Sequence, residues 1–212
     1  RCALTVLFAF AALVLGASAH AAEDISKVNG SVKVEPGQQV GDVDTVNGSV
    51  TIGAGARVRD VGTVNGSVKI EDKAVVAGAV ETVNGSVTMG AEAEVQKGID
   101  AVNGSLTLRK DAKVAGGLEN VNGSMLVEGA RVDGGIETVN GDIRLATGSH
   151  VTGGIHVEEQ KSSWWKGKNS RNPRITIEQG VTVEGPLHFE RAVDLYVAPG
   201  VTLPPVEGVQ PQ

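Results

Sequence analysis

The sequence contains very few cysteines and aromatic residues. Cys2 is the only cysteine, and phenylalanine, tryptophan and tyrosine together make up 3% of the 212 residues. A lipid anchor needs a cysteine just after the first apolar run, and Cys2 precedes that run, so we do not expect a lipid anchor. Without a second cysteine, we expect no disulfide framework in the mature chain. With so few large side chains, the core must be built from many layers of small aliphatic residues, as in a solenoid.

The chain also lacks the features of several functional classes. Its formal charge is −6, without the basic stripe that nucleic-acid binding requires. It contains no phosphate-binding loop, dinucleotide fingerprint or nucleophile elbow in a strand-to-helix context. His150, His156 and His188 have neither the i, i+4 spacing of a helical metal site nor cysteine companions, so we interpret them as surface residues. We therefore predict no enzymatic activity, no cofactor, no metal site and no nucleic-acid partner.

Residues 1–21 have the pattern of a secretory signal peptide. An apolar run (ALTVLFAFAALVLG) covers residues 3–16, and small residues that fit a cleavage site follow it. The run is too short for a membrane-spanning helix. We predict that residues 1–21 are removed and that the protein is exported to the periplasm or the cell surface.

A repeat dominates the rest of the chain. The segment Val-Asn-Gly, followed by Ser in six of its seven copies, recurs at steps of 18 or 19 residues. Such a fixed period indicates one small structural unit stacked on itself. The repeated asparagines are Asn29, Asn47, Asn65, Asn84, Asn103, Asn122 and Asn140.

Aliphatic residues recur at fixed distances from each repeat asparagine. They occupy the fourth and first positions before it and the third, fifth and eleventh positions after it. Polar residues mostly separate the third and fifth positions, which predicts short strands with one apolar face. The register continues beyond the last Val-Asn-Gly copy: Asn172 falls in the asparagine position, Ile175 and Ile177 follow in register, and Leu195 begins a ninth coil.

Two architectures compete for this pattern. Asn-Gly between apolar runs is typical of a type I′ hairpin, which would give an antiparallel meander. However, Val58 and Val61 are three residues apart whereas Val76 and Val80 are four apart. Such a difference is harmless at the corner of a three-sided coil, but in a hairpin strand it would turn the apolar face outward.

We therefore predict an all-β fold: a single-stranded parallel β-helix, a three-sided solenoid of about nine coils of 18–19 residues. The Asn-Gly pairs are expected at its corners, because asparagine tolerates the left-handed backbone region and glycine adopts it freely. Stacked on one another, the repeat asparagines can form a hydrogen-bonded ladder along the rod.

The repeat is interrupted once. We predict β-helix coils one to seven at 22–157, an inserted loop at 158–173, the last coils at 174–203 and a proline-rich tail at 204–212. The loop combines two tryptophans with basic residues, a composition suited to anionic lipid headgroups or glycans. Its candidate contact residues are Trp164, Trp165, Lys166, Lys168 and Arg171. Alternatively, the two indole rings cover an apolar seam of the rod.

Two segments, TIGAGARV at 51–58 and VAGGL at 114–118, resemble bactofilins, the polymer-forming bacterial cytoskeletal family. The resemblance covers roughly residues 25–203. It implies a right-handed, three-sided β-helix that assembles into filaments without nucleotide. The chain departs from the family in its signal peptide and its inserted loop. The Val-Asn-Gly-Ser-Val run is also similar to adhesin β-repeat families of bacteria.

These observations predict an exported, non-enzymatic protein with a structural role in the bacterial cell envelope. Pro204 and Pro205 cannot donate ladder hydrogen bonds and should close the C-terminal end. Self-association is therefore expected end to end, through the N-terminal coil. The alternative is an adhesin-like binding module that contacts an envelope glycan or anionic lipid through the loop around Trp164 and Trp165.

Overall fold

The computed structural model describes residues 23–159 and 171–212. The predicted signal peptide and most of the inserted loop lie outside these ranges. The described chain is all-β and forms three parallel sheets, stacked as a solenoid of about nine turns. This confirms the predicted fold class. The described ranges contain no helix that is long and apolar enough to cross a membrane.

Successive coils contribute strands to the three sheets in turn. Sheet I has ten strands, which are Ile25–Asn29 (β1), Val43–Asn47 (β3), Val61–Asn65 (β6), Val80–Asn84 (β9), Ile99–Asn103 (β12), Leu118–Asn122 (β15), Ile136–Thr138 (β18), Ile155–Val157 (β21), Leu187–Phe189 (β24) and Val206–Gly208 (β26). Sheet II has nine, which are Val32–Val34 (β2), Val50–Ile52 (β4), Val68–Ile70 (β7), Val87–Met89 (β10), Leu106–Leu108 (β13), Met125–Glu128 (β16), Ile143–Ala146 (β19), Arg174–Ile177 (β22) and Asp194–Val197 (β25). Sheet III has seven short strands, which are Arg57–Val58 (β5), Val75–Val76 (β8), Glu94–Val95 (β11), Lys113–Val114 (β14), Arg131–Val132 (β17), His150–Val151 (β20) and Thr182–Val183 (β23).

Each strand pairs in parallel with the equivalent strand of the next coil, and equivalent residues stay opposite one another. Val61 pairs with both Val43 and Val80, although the two repeats differ in length by one residue. The extra residue lies in the corner between sheets III and I, so it does not shift the strand. The inward face is therefore preserved from coil to coil.

The interior of the rod is a stack of aliphatic layers. Val34, Ile52, Ile70 and Leu108 on sheet II have no exposed surface. The inward-facing valines of sheet III, eleven residues after the asparagine of each repeat or ten in the case of Val132, are also buried. Small and medium aliphatic side chains thus fill the narrow space between the three sheets, as the scarcity of aromatic residues suggests.

One recurrent aliphatic column lies outside the core. Along a sheet I strand, side chains alternate between the two faces, so the second residue before each asparagine points inward and the first points outward. Thr45 is accordingly buried and its Oγ1 donates a hydrogen bond to the Gly30 carbonyl at 3.1 Å, whereas Val46 is 40% exposed. The sequence pattern did not distinguish these valines from the core valines.

The asparagines do not adopt the left-handed backbone predicted for them. Within the described ranges, the non-glycine residues with positive φ are Lys73, Glu92 and Asp111. They lie in the turn between sheets II and III, where another coil has Gly55 at φ 67°. In the first six repeats the asparagine is the last residue of a sheet I strand, and the following Gly-Ser pair forms the corner.

The corner glycines are required because neighbouring coils approach closely there. A Cβ on Gly66 would lie under 3.0 Å from the Gly48 carbonyl group, and one on Gly85 would lie as close to the Gly66 carbonyl. Coils are spaced by ~4.8 Å, so no side chain fits between their backbones at this point. Close stacking, more than left-handed geometry, explains the recurrent glycine.

The segment predicted as a proline-rich tail takes part in the solenoid. Val206–Gly208 forms β26, which pairs with β24. The backbone NH of Gln212 donates to Val193 at 3.0 Å, and its carbonyl accepts from Leu195 at 3.1 Å. Residues 204–212 are therefore hydrogen-bonded to the last coil.

Replacing Gly66 by alanine should lower the free energy of unfolding by about 1–3 kcal/mol, because the new methyl group overlaps the Gly48 carbonyl. Gly62→Ala, in the same coil, is the control. Its Cβ would meet only the movable side chain of Asp44, so the change should stay below about 0.5 kcal/mol. Urea unfolding followed by circular dichroism measures both variants. Equal losses would contradict close stacking at the corner.

Candidate functional site

Three columns of outward-facing side chains run along sheet I. The third residue before each repeat asparagine belongs to what we name the acidic column, the residue directly before it to the valine column, and the asparagine itself to the asparagine column. The acidic column contains Asp44, Glu81, Asp100, Glu119 and Glu137, with Ser26 in the first coil and Gly62 in the third. The valine column contains Val28, Val46, Val64, Val83, Val102, Val121 and Val139.

A shallow groove of about 800 Å³ follows the acidic and valine columns across six coils, from Ser26 to Val121. Five coil spacings of ~4.8 Å make it about 24 Å long. Four of its valines, Val46, Val64, Val83 and Val102, are 40–41% exposed. A continuous apolar stripe of this kind on a protein surface is typical of an interaction site.

Carboxylates line the same groove. Asp44, Glu81, Asp100 and Glu119 form no salt bridge with any residue in the ranges 23–159 and 171–212. Partial burial raises the pKa of Asp100, and repulsion from Glu119 and Glu81 raises it further. Burial also raises the pKa of Asp44, as do neighbouring carboxylates, of which Asp42 has the largest effect. The groove thus combines an apolar stripe with an uncompensated row of negative charge.

The asparagine column borders the groove and forms a ladder. At each of the six steps from Asn29 to Asn140, Nδ2 donates to Oδ1 of the asparagine in the preceding coil at 3.0–3.1 Å. Arg191 Nη1 donates to Asn140 Oδ1 at 2.8 Å and ends the ladder. Asn172, predicted for this position, donates instead to Asp194 at 3.0 Å. Because the amides bond to one another, this column supports the fold more than it offers groups to a ligand.

Of the five residues predicted to contact a partner, the structure describes only Arg171. Its Nη2 donates to Asp142 Oδ2 at 2.7 Å, and Asp142 Oδ1 accepts from the backbone NH of Arg174 at 2.9 Å. Arg171 therefore ties the end of the inserted loop to the coil below. Trp164, Trp165, Lys166 and Lys168 lie outside the described residues, and their contact with a partner stays a prediction.

The structure brings together two histidines that the sequence analysis treated as separate. His156 and His188 are opposite one another in adjacent strands of sheet I, with ring centroids 5.0 Å apart. They continue the acidic column, and each directly follows an inward aliphatic residue, Ile155 or Leu187. The position of each histidine in the repeat therefore indicates that the two side chains lie side by side. Their spacing along the sequence does not, because the inserted loop separates them.

Comparison of the chain with protein-family models, curated proteins and solved structures gives no match. The likeness to a β-helix family therefore rests on the repeat pattern and on the parallel solenoid itself.

Asp100→Asn should raise the melting temperature at about pH 7, because the substitution removes a partly buried charge that its neighbours repel. The raised pKa means that folded Asp100 holds its proton more tightly than the unfolded chain does. The ionised Asp100 carboxylate therefore destabilises the fold fully at pH values above its pKa in the folded protein. This destabilisation disappears as the pH falls towards 3.8. Melting curves of the two proteins should converge over that range.

Glu71→Gln is the opposite control for this titration. A hydrogen bond from Lys69 lowers the pKa of Glu71, so its charge stabilises the fold near neutral pH and this effect is lost on acidification. This variant should melt at or below the wild-type temperature at about pH 7. If Asp100→Asn melts lower than wild type as well, the row of carboxylates is not repulsive.

Proposed function

We propose that the protein is an exported, non-enzymatic, bactofilin-like scaffold of the bacterial cell envelope, and that its groove on sheet I binds a basic amphipathic helix of a partner protein. The observation that carries the proposal is the repetition of exposed valines over six coils, four of which also place a carboxylate beside the valine. The envelope location rests on the signal-peptide pattern of residues 1–21.

The spacing of the groove favours a helix lying along the rod. An α-helix advances about 5.4 Å per turn, close to the ~4.8 Å between coils, so each turn can place one apolar side chain against one or two valines. Side chains on one face of an extended strand recur at about 6.6–6.8 Å. This repeat differs more from the coil spacing than the helical repeat does, so fewer side chains of a bound strand would align with the valines. About 16 residues of helix span the groove of about 24 Å. An amphipathic helix in an apolar groove is a common recognition mode.

The charge of the groove selects the helix. Asp44, Glu81, Asp100 and Glu119 lie along one side of the valines, whereas Lys27 is the only cationic residue among the residues that line it. A lysine or arginine flanking the apolar face of the helix would neutralise carboxylates that now repel one another. An acidic helix of the same shape would add repulsion, so the groove should discriminate between the two by charge.

A scaffold role agrees with the lack of catalytic motifs and with the rod-like stacking of the coils. Self-association through the N-terminal coil and filament formation, which the resemblance to bactofilins implies, stay predictions. Contact with an anionic glycan or lipid through Trp164 and Trp165 is a second predicted interaction, on residues outside the described ranges.

The experiment measures binding of an 18-residue amphipathic helix of leucine and lysine, about the length of the groove, labelled for fluorescence anisotropy. The wild-type protein should bind this peptide, more weakly at higher salt, and should not bind the matched leucine and glutamate peptide. Replacing Val83 and Val102 together by serine should weaken binding at least about tenfold, because two aliphatic contacts are lost. Sedimentation of the protein alone reports whether copies associate.

Two further variants separate the parts of the proposal. Glu81→Gln combined with Asp100→Asn should weaken binding and flatten its salt dependence. Thr88→Ser combined with Thr107→Ser, on the outward face of sheet II in the same coils, should leave it unchanged. The proposal is wrong if the lysine peptide does not bind, if the glutamate peptide binds equally well, or if copies of the protein occupy the groove in a valine-dependent dimer.

A further inference from the structure

Beyond the groove, both outward columns of sheet I change residue type in the same two coils. The acidic column continues with His156 and His188, and the valine column continues with Glu158 and Glu190. In these two coils imidazole groups take the place of the carboxylates, and carboxylates take the place of the valines. The change marks this end of the face as chemically distinct from the groove.

The strand register brings these groups together. Glu137 pairs with His156, His156 with His188, and His188 with Glu207, in four successive strands of sheet I. Since these residues all occupy the same outward position, their side chains stack along the rod at the coil spacing of ~4.8 Å. The two imidazole rings meet edge to face at an angle of 69°. Chain segments on both sides of the inserted loop therefore contribute to one cluster.

The distances suit a small metal ion. His156, His188 and Glu190 each offer one ligand atom, and these three atoms lie within 4.8 Å of one another. His156 Nε2 lies 3.4 Å from Glu190 Oε1. In a tetrahedral zinc site with metal–ligand distances of about 2.0–2.1 Å, neighbouring ligand atoms are about 3.3–3.4 Å apart. The contact between His156 and Glu190 already has this length, and the ligand atom of His188 lies within 4.8 Å of both groups.

The surroundings of His156 also point to a ligand. Its Nε2 atom is buried, although the residue as a whole is partly exposed; apart from the 3.4 Å contact with Glu190 Oε1, it makes no hydrogen bond with the residues that the structure describes. The other histidine has a carboxylate beside it, since His188 Nδ1 lies 3.6 Å from Glu207 Oε2. A carboxylate against one ring nitrogen commonly orients a metal-binding histidine.

We propose that His156, His188 and Glu190 form a binding site for a divalent transition-metal ion such as Zn²⁺, with Glu207 as a positioning residue for His188. Nitrogen and carboxylate oxygen ligands are those that zinc accepts, and three protein ligands leave one position for water. Glu137 and Glu158 form a second triad with His156, also within 4.8 Å, and provide the alternative carboxylate ligands. The site does not depend on the function proposed for the groove.

The test is a zinc titration of the untagged, metal-free protein, followed by isothermal calorimetry and by competition with a chromogenic chelator. We expect one zinc ion per chain and a melting temperature that rises with zinc. His156→Ala and His188→Ala should each weaken binding by more than about 100-fold, and Glu207→Gln by about tenfold, as for a residue that only orients a ligand. Cobalt in place of zinc should give the visible absorption of a four-coordinate ion.

His150→Ala is the matched control. His150 also has a carboxylate partner, with Nε2 2.9 Å from Glu184 Oε1, but it belongs to neither triad found in the described ranges. This variant should bind zinc as the wild type does. Glu190→Gln compared with Glu158→Gln identifies the carboxylate ligand. The proposal is overturned if the metal-free protein takes up no zinc, if His156→Ala binds it with unchanged affinity while folded, if His150→Ala loses as much affinity, or if only Glu158→Gln weakens binding.

Discussion

The structure depends on one constraint, the parallel pairing of each coil with the next in a register that does not change. Backbone hydrogen bonds between coils set a spacing of ~4.8 Å, and equivalent residues such as Val43, Val61 and Val80 lie directly above one another. The constraint is most severe at the corner after the repeat asparagine, where, from the second repeat onward, a Cβ would meet the backbone of the preceding coil. Glycine there and the asparagine ladder beside it support this register in the first seven coils, whereas in the eighth coil Pro173 takes the place of the glycine and Asn172 donates to Asp194.

Because the register is constant, residues at one outward position of the repeat form a column on the surface. A residue type that recurs at that position therefore forms a continuous candidate site on the face of a sheet. An apolar residue at one outward position becomes an apolar stripe, and a carboxylate two residues earlier becomes a row of charge. Partial burial, and then repulsion along that row, raises the pKa of Asp100. Where two coils carry other residues, as at His156 and His188, the same stacking creates a local cluster with different chemistry.

The repeat period and the aliphatic columns were sufficient to predict the three-sided parallel solenoid, because a one-residue difference in repeat length is tolerated only at a corner. Side-chain direction on sheet I was harder to predict, since the valines before each asparagine look like core residues until the parity of the strand is known. The backbone of the asparagines was predicted wrongly, because close stacking, and not left-handed geometry, selects the glycine. The histidine cluster was missed because His156 and His188 meet through register, across the inserted loop.

The most direct test of this account is the distance between equivalent positions in different coils. Spin labels can be attached to pairs of cysteines that replace equivalent serines, in a variant in which Cys2 is replaced by serine. The labels are three coils apart for Ser49 and Ser105, four for Ser49 and Ser124, and five for Ser31 and Ser124. Electron–electron dipolar spectroscopy should give backbone separations of about 14, 19 and 24 Å, in steps of ~4.8 Å per coil. Steps of about twice that length would indicate two strands per repeat, as in an antiparallel meander, and would contradict the solenoid register.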